Sequence, residues 1–287
     1  MKSIGEAILT SIKKKHNGLS LSGDTMESSD LIARLHAGQP VFALGLRSAR
    51  SPDVIRWARA AGYDTVWIDM EHSPMPVDLV SQLCLCAADL GLMPWVRVPE
   101  RDYGMINRVL DGGALGIVAA RVESAGQATD IVTAARFAPL GQRSQLATLP
   151  FVGYEKLPAA EMNRRVNAAT YVKLLIESRA GVEAASAIAA VPGVDIVALG
   201  CNDLSADLGH TGNPTHPDVL AACRHVIAAV RRQGKVAIVG GMPEGEALTA
   251  LRADGAAPFI FSGIDTDLFL DALRRRVSSD RGALTPQ

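Results

Sequence analysis

The feature that most constrains this chain is an alternation repeated eight times. Short apolar runs rich in β-branched residues are each followed by a longer stretch of helical period. The runs are Val41–Leu46, Thr65–Asp69, Trp95–Val98, Gly116–Ala120, Val172–Glu177, Asp195–Leu199, Val236–Val239 and Phe259–Ser262. Few polar residues interrupt them, as expected of strands buried on both faces of a parallel sheet. The stretches between them predict helices over Pro52–Ala61, Pro76–Leu90, Tyr103–Asp111, Ser124–Phe137, Arg179–Val191, Pro217–Gln233, Glu244–Ala253 and Asp265–Val277. Gly62, Gly91, Gly234 and Gly255 stand where left-handed helix caps are expected. Eight such units in about 240 residues point to an α/β fold, a single-domain (β/α)8 TIM barrel. A doubly wound open sheet is the alternative, but the turn after the first run, Gly45-Leu46-Arg47-Ser48-Ala49-Arg50, is not a Gly-rich phosphate loop.

The barrel is expected over residues 31–277. Residues 1–30 read as an N-terminal extension, partly flexible or packed on a neighbouring subunit, with one short helix over Ile4–Ile12. Ser278–Gln287 reads as a loose tail. The segment Ala138–Thr170 breaks the rhythm with three prolines and no clean helix, and reads either as a substrate-covering loop or as a surface excursion.

Composition narrows the function. Lys and Arg number 29 against 30 Asp and Glu, and the densest cationic runs, Lys13–Lys15 and Arg274–Arg276, are short; no nucleic-acid footprint is expected. No apolar run is long enough to span a membrane. Cys84, Cys86, Cys201 and Cys223 match no zinc spacing, and Cys84 and Cys86, in an apolar stretch, read as reduced core thiols, which suits a cytoplasmic protein.

The C-terminal ends of barrel strands hold the site in this fold, and four of them carry polar residues here. Asp69, Glu71 and His72 leave the second strand together, and a His beside carboxylates suits a general base. Arg97 interrupts the third strand, where a guanidinium would hold a carboxylate or an oxyanion. Glu177 ends the fifth strand and Asp203 follows the sixth, so both carboxylates can converge on one hard cation. Each of these residues alone also fits a helix cap or a structural ion pair. Arg47 and Arg121, also at strand ends, could read an acidic substrate tail or form surface salt bridges. Lys173 lies four residues before Glu177, near the wrong end of its strand for an imine.

As a set, these residues resemble the HpcH/HpaI family of class II, metal-dependent pyruvate aldolases. The likeness is carried by Ser51-Pro52, Gly62-Tyr63-Asp64, Asp69-Met70-Glu71-His72, Val96-Arg97-Val98-Pro99, Leu110-Asp111-Gly112-Gly113-Ala114, Ile176-Glu177, Gly200-Cys201-Asn202-Asp203-Leu204-Ser205, Gly209 and His216-Pro217. The resemblance implies a (β/α)8 barrel, typically a homohexamer of dimers that exchange a C-terminal helix. It implies Glu177 and Asp203 as ligands of Mg²⁺, Mn²⁺ or Co²⁺, with no organic cofactor. His72 would be the acid–base, Asp69 its companion, Arg97 the contact to the keto or enolate oxygen, and Glu71 a supporting group. Gly200, Cys201, Asn202 and Leu175 would line the substrate. The chain departs from the family at Leu175, where many relatives have Gln, at Cys201-Asn202, at Ala119-Ala120-Arg121, and at Gln142-Arg143-Ser144. The implied reaction is cleavage or formation of a 4-hydroxy-2-keto acid, from pyruvate and an aldehyde, through a metal-stabilised pyruvate enolate. The alternatives are oxaloacetate decarboxylation or another enolate C–C bond formation at the same site. The CoA-ester lyase branch would need a cationic groove, for which no candidate stands out. A catalytically silent barrel is the reading of a different class.

Overall fold

A computed structural model describes residues 28–284. The Ile4–Ile12 helix lies outside the described residues. Eight parallel strands form one sheet in the order β7-β6-β5-β4-β3-β2-β1-β8. They are β1 (Val41–Leu46), β2 (Thr65–Asp69), β3 (Met93–Val98), β4 (Gly116–Ala119), β5 (Tyr171–Ile176), β6 (Ile196–Gly200), β7 (Val236–Gly240) and β8 (Phe259–Ile264). The sheet is nearly closed: at the β7–β8 seam the Ala257 N–H donates to the Ala237 carbonyl at 2.7 Å. Helices fill the crossovers, giving the (β/α)8 barrel that the alternation predicts.

Strand parity divides the core. Alternate residues such as Leu44, Ile68, Val96, Ile117, Leu174 and Leu199 face the helices in one large cluster. Their neighbours Ala43, Trp95, Val118, Leu175, Ala198 and Ile238 fill the barrel lumen. α1 (Ser28–His36) closes the bottom of that lumen: Leu31 and Leu35 are buried in the same cluster, and the Arg34 Nη1 pairs with Asp64 Oδ1 at 2.7 Å. No helix among the described residues is long and apolar enough to cross a membrane.

Four local expectations differ from the structure. The Pro217 helix begins as anticipated, capped by the His216 ring, which accepts the Asp218 N–H. The Arg179–Val191 stretch, however, is two short helices, Arg179–Glu183 and Ala185–Ala190, broken at Ala184. A further helix, Cys201–Asp207, follows β6 directly, outside the stretches predicted to be helical. The Ala138–Thr170 segment contains a 3₁₀ turn, Pro150–Val152, and a full helix, Ala159–Ala169. Its own small core of Phe137, Leu149, Met162 and Val166 holds it down, and Arg143 is buried against Asp111 at 2.7 Å. Arg136, which precedes this segment, donates to the carbonyls of Asn167 and Thr170 at its far end. The segment thus leaves and rejoins the barrel near the start of β5, at the end away from the strand termini that carry the site. That placement removes the substrate-covering reading.

The last helix, Asp265–Leu284, runs on through the expected tail. The i,i+4 pair Arg276–Asp280 at 3.2 Å supports the extra turns. This helix touches β1 and β8 near its start, and Leu268, Phe269, Leu270, Leu273 and Val277 are exposed along it. Phe42, on the outer face of β1, is exposed as well.

Candidate active site

The register of β2 on β3 sets Asp69 opposite Arg97. Both side chains point into the barrel mouth, and they form a bidentate pair: Nε to Oδ1 at 3.0 Å and Nη2 to Oδ2 at 2.7 Å. Arg47, at the end of β1, adds Nε and Nη2 contacts to Asp69 Oδ2 at 3.3 and 3.2 Å. The backbone N–H groups of Glu71 and His72 donate to Asp69 Oδ1 at 3.0 and 3.2 Å. Burial works to raise the Asp69 carboxyl, but Arg97, the His72 amide and Arg47 outweigh it and hold it below its usual value.

Arg97 is nearly buried. Its Nη1 reaches Glu71 Oε2 at 2.7 Å, and its guanidinium lies 4.7 Å from the centre of the Trp67 ring. Trp67 is two residues before Asp69 on the same strand face, a placement that strand parity makes readable in the sequence. Burial raises the Glu71 carboxyl, and the Arg97 contact only partly offsets this. The His72 ring is mostly exposed, with Nε2 3.7 Å from Glu71 Oε2. Asp69 is joined to His72 through the backbone amide rather than through the ring.

Glu177 follows β5 on the lumen side and is 7% exposed. It accepts the Arg121 N–H at 2.9 Å and has no ion pair among the described residues. Burial, with the nearby negative charges of Asp203 and Glu71, pushes its carboxyl up to about 7 against the Arg121 hydrogen bond. Gly200 is required beside it, because a Cβ there would fall 2.5 Å from Glu177 Oε1. Asp203, in the first turn of the Cys201–Asp207 helix, is exposed. Cys201 turns away from the mouth and is buried with its Sγ 3.7 Å from that of Cys223, while Asn202 is exposed. Leu175 packs in the lumen one inward position below Glu177.

The structure thus gathers two groups at the strand termini. One is the Arg47–Asp69–Arg97–Glu71 cluster with His72 at its edge. The other is Glu177 with Gly200 and Asp203. Their electrostatic coupling through Glu71 and Arg97 places them in one mouth. Arg47, read as a possible contact for a substrate tail, instead anchors Asp69. Lys173 lies deeper, with Nζ 5.0 and 4.5 Å from the ring centres of Trp95 and Phe259.

Fold and mouth define a (β/α)8-barrel enzyme with a carboxylate-rich centre. Residues 46–272 match the profile of the HpcH/HpaI aldolase/citrate lyase family, and the chain belongs to that family. A 4-hydroxy-4-methyl-2-oxoglutarate aldolase from Hapsidospora irregularis is 38% identical over 216 residues, 74% of this chain and 79% of its own length. A hydroxypyruvate/pyruvate aldolase from Pseudomonas aeruginosa is 34% identical over 250 residues, 87% and 91% of the two chains. The crystal structure of an HpcH/HpaI aldolase from Desulfitobacterium hafniense DCB-2 superposes with a TM-score of 0.81 at 29% identity, covering 89% of this chain and 97% of that one. Aldolases and citrate lyases both break carbon–carbon bonds, and this chain is a carbon–carbon lyase.

Proposed function

We propose that this lyase is a divalent-metal-dependent aldolase that cleaves or forms 4-hydroxy-2-keto acids. The observation that carries the reading is Glu177: a buried carboxylate with no ion pair among the described residues, beside Asp203 and Glu71, in a site that therefore favours a cation. Glu177 and Asp203 supply the oxygen ligands that suit Mg²⁺, Mn²⁺ or Co²⁺. Bound there, such an ion supplies a Lewis acid for the substrate keto oxygen.

The protein groups do the rest. Asp69 and Glu71 fix the Arg97 guanidinium through Nε, Nη1 and Nη2. Two of its five N–H donors remain for the oxygen that gains charge as the C3–C4 bond breaks. The exposed His72 ring takes the proton of the C4 hydroxyl in cleavage, directly or through water, with Glu71 Oε2 3.7 Å from its Nε2. Asp69 acts as the brace that orients the His72 backbone and Arg97 together. Gly200, Cys201 and Asn202 offer backbone to the keto-acid carboxylate, and Leu175 forms the apolar floor.

The test is pyruvate release from a 4-hydroxy-2-keto acid and, in parallel, from oxaloacetate. EDTA is expected to silence cleavage and Mg²⁺, Mn²⁺ or Co²⁺ to restore it. Activity indifferent to EDTA sinks the metal role, and release from oxaloacetate alone makes the chain a decarboxylase.

We further infer a homo-oligomer, consistent with the hexamer that the family resemblance implies. The last helix leaves its own barrel with five large apolar residues exposed, and the outer face of β1 keeps Phe42 uncovered. A neighbour's helix packed there buries both surfaces. Phe269→Glu, at the most exposed of these positions, is expected to shift the protein to smaller species in sedimentation velocity. An unchanged sedimentation coefficient overturns the inference. The four free thiols, including the unbridged Cys201–Cys223 pair, support a reducing, cytoplasmic location.

A further inference from the structure

Arg121 follows β4 in the left-handed region, with φ 54°, although it carries a side chain. Such positions persist only where their surroundings hold them, and they gather at functional sites. Here the hold is visible. The Arg121 N–H is fastened to Glu177 Oε2 at 2.9 Å. The side chain runs from there towards the Cys201–Asp207 helix, where Nη2 stops 3.9 Å from Asp207 Oδ1. That separation is too long for a hydrogen bond. Asp207 is also engaged elsewhere, accepting the Arg179 N–H through Oδ2 at 2.7 Å. The Arg121 side chain is 43% exposed, and its guanidinium makes no hydrogen bond among the described residues.

The neighbouring cations differ. Arg97 is tied to Asp69 and Glu71, Arg47 is tied to Asp69, and Arg101 faces Glu100 at 3.3 Å. Arg121 therefore sets an uncommitted guanidinium fork on the rim, on the same residue whose amide fixes the buried Glu177 carboxylate. A planar fork with open donors matches a carboxylate in two parallel hydrogen bonds.

We propose that Arg121 is a specificity-determining residue that recognises a second carboxylate, at the far end of the substrate, so that the enzyme favours dicarboxylic over monocarboxylic 4-hydroxy-2-keto acids. The proposal rests on the reading that the 2-keto acid end lies at Glu177 and Asp203. The tail carboxylate replaces the long Asp207 contact with direct hydrogen bonds. One residue then serves both ends of the ligand: its amide steadies the group that receives the keto acid, and its side chain reads the tail.

The experiment has a binding arm and a kinetic arm. Calorimetry on the Mg²⁺-loaded protein compares 2-oxoglutarate with 2-oxopentanoate, which differ only in a terminal carboxylate against a methyl group. The wild type is expected to bind 2-oxoglutarate at least tenfold more tightly. Arg121→Gln, which keeps the backbone amide, is expected to erase that preference, and Arg121→Lys to retain part of it. The ratio of kcat/KM for 4-hydroxy-2-oxoglutarate to that for 4-hydroxy-2-oxopentanoate is expected to fall by the same factor in Arg121→Gln, mainly through KM. Equal affinities in the wild type, no binding of either acid, an undiminished preference in Arg121→Gln, or equal weakening of both ligands each overturns the proposal. Should the wild type bind as expected yet release no pyruvate from either substrate, the aldolase reading fails while the role of Arg121 in binding stands.

Discussion

Glu177→Ala is expected to remove measurable Mn²⁺ binding and to lower kcat/KM by at least about a thousandfold, the equivalent of roughly 4 kcal/mol of transition-state stabilisation. The size follows from the position of the carboxylate. It is buried at the strand terminus, held by the Arg121 amide, and lies near Asp203 and Glu71 with no ion pair among the described residues. A cation bound there meets a ligand already oriented and partly desolvated, so little rearrangement opposes binding. Asp203→Ala is expected to act in the same direction. Folding provides the control. In EDTA the Glu177→Ala protein should melt no lower than wild type, because the lost group is an unpaired buried acid. Full turnover in the alanine variant, after removal of trace metal, would refute the assignment of Glu177.

Lys173→Met is expected to stabilise the protein by a few kcal/mol below pH 6, with the gain shrinking as the pH rises through 7 towards 10. Lys173 is buried in the lumen between Trp95 and Phe259 and has no carboxylate partner among the described residues. Burial, aided by the charge of Arg97, pushes its ammonium down to about 7 from an ordinary value of 10.5. Below about 7 both the folded and the unfolded chain carry the proton, so the full cost of burying the charge is present and constant. Between about 7 and 10.5 the unfolded chain holds the proton and the folded chain does not, and wild-type stability rises with pH. The aromatic faces return part of the cost, about 1 to 2 kcal/mol at a desolvated site. Denaturant titrations of both proteins from pH 5 to 10 measure the difference directly. A methionine variant that is weaker than wild type at every pH would mean that the ammonium has an anion to bind.

The barrel was legible because both faces of a parallel strand are buried, which leaves unbroken apolar runs that turn residues separate cleanly. The polar residues of the mouth were legible for the converse reason: Asp69, Arg97 and Glu177 stand at or next to the ends of runs that, Lys173 apart, exclude charge. Their pairing was not legible. Asp69 meets Arg97 through the register of β2 on β3, and Arg47 joins them only when β1 is laid beside β2. The helix Ala159–Ala169 has only a faint sequence signature, because three residues, Met162, Val166 and Ala169, make up its buried stripe, and Pro158 stands before it like a loop residue. The two-helix break at Ala184 has no marker in the sequence, since Ala is the best helix former. The last helix reads short, ending at Val277, because Ser278-Ser279-Asp280-Arg281-Gly282 after it carry no apolar stripe for periodicity to report.

The first residue of that helix has a second task. Asp265 accepts the backbone N–H groups of Arg47, Ser48 and Ala49 at distances of 2.6 to 3.3 Å, and so clasps the β1 exit from which Arg47 reaches Asp69. The root of the last helix and the anchorage of Asp69 therefore share one carboxylate: shortening Asp265 to alanine would free the β1 exit and, with it, the Arg47 contact to Asp69.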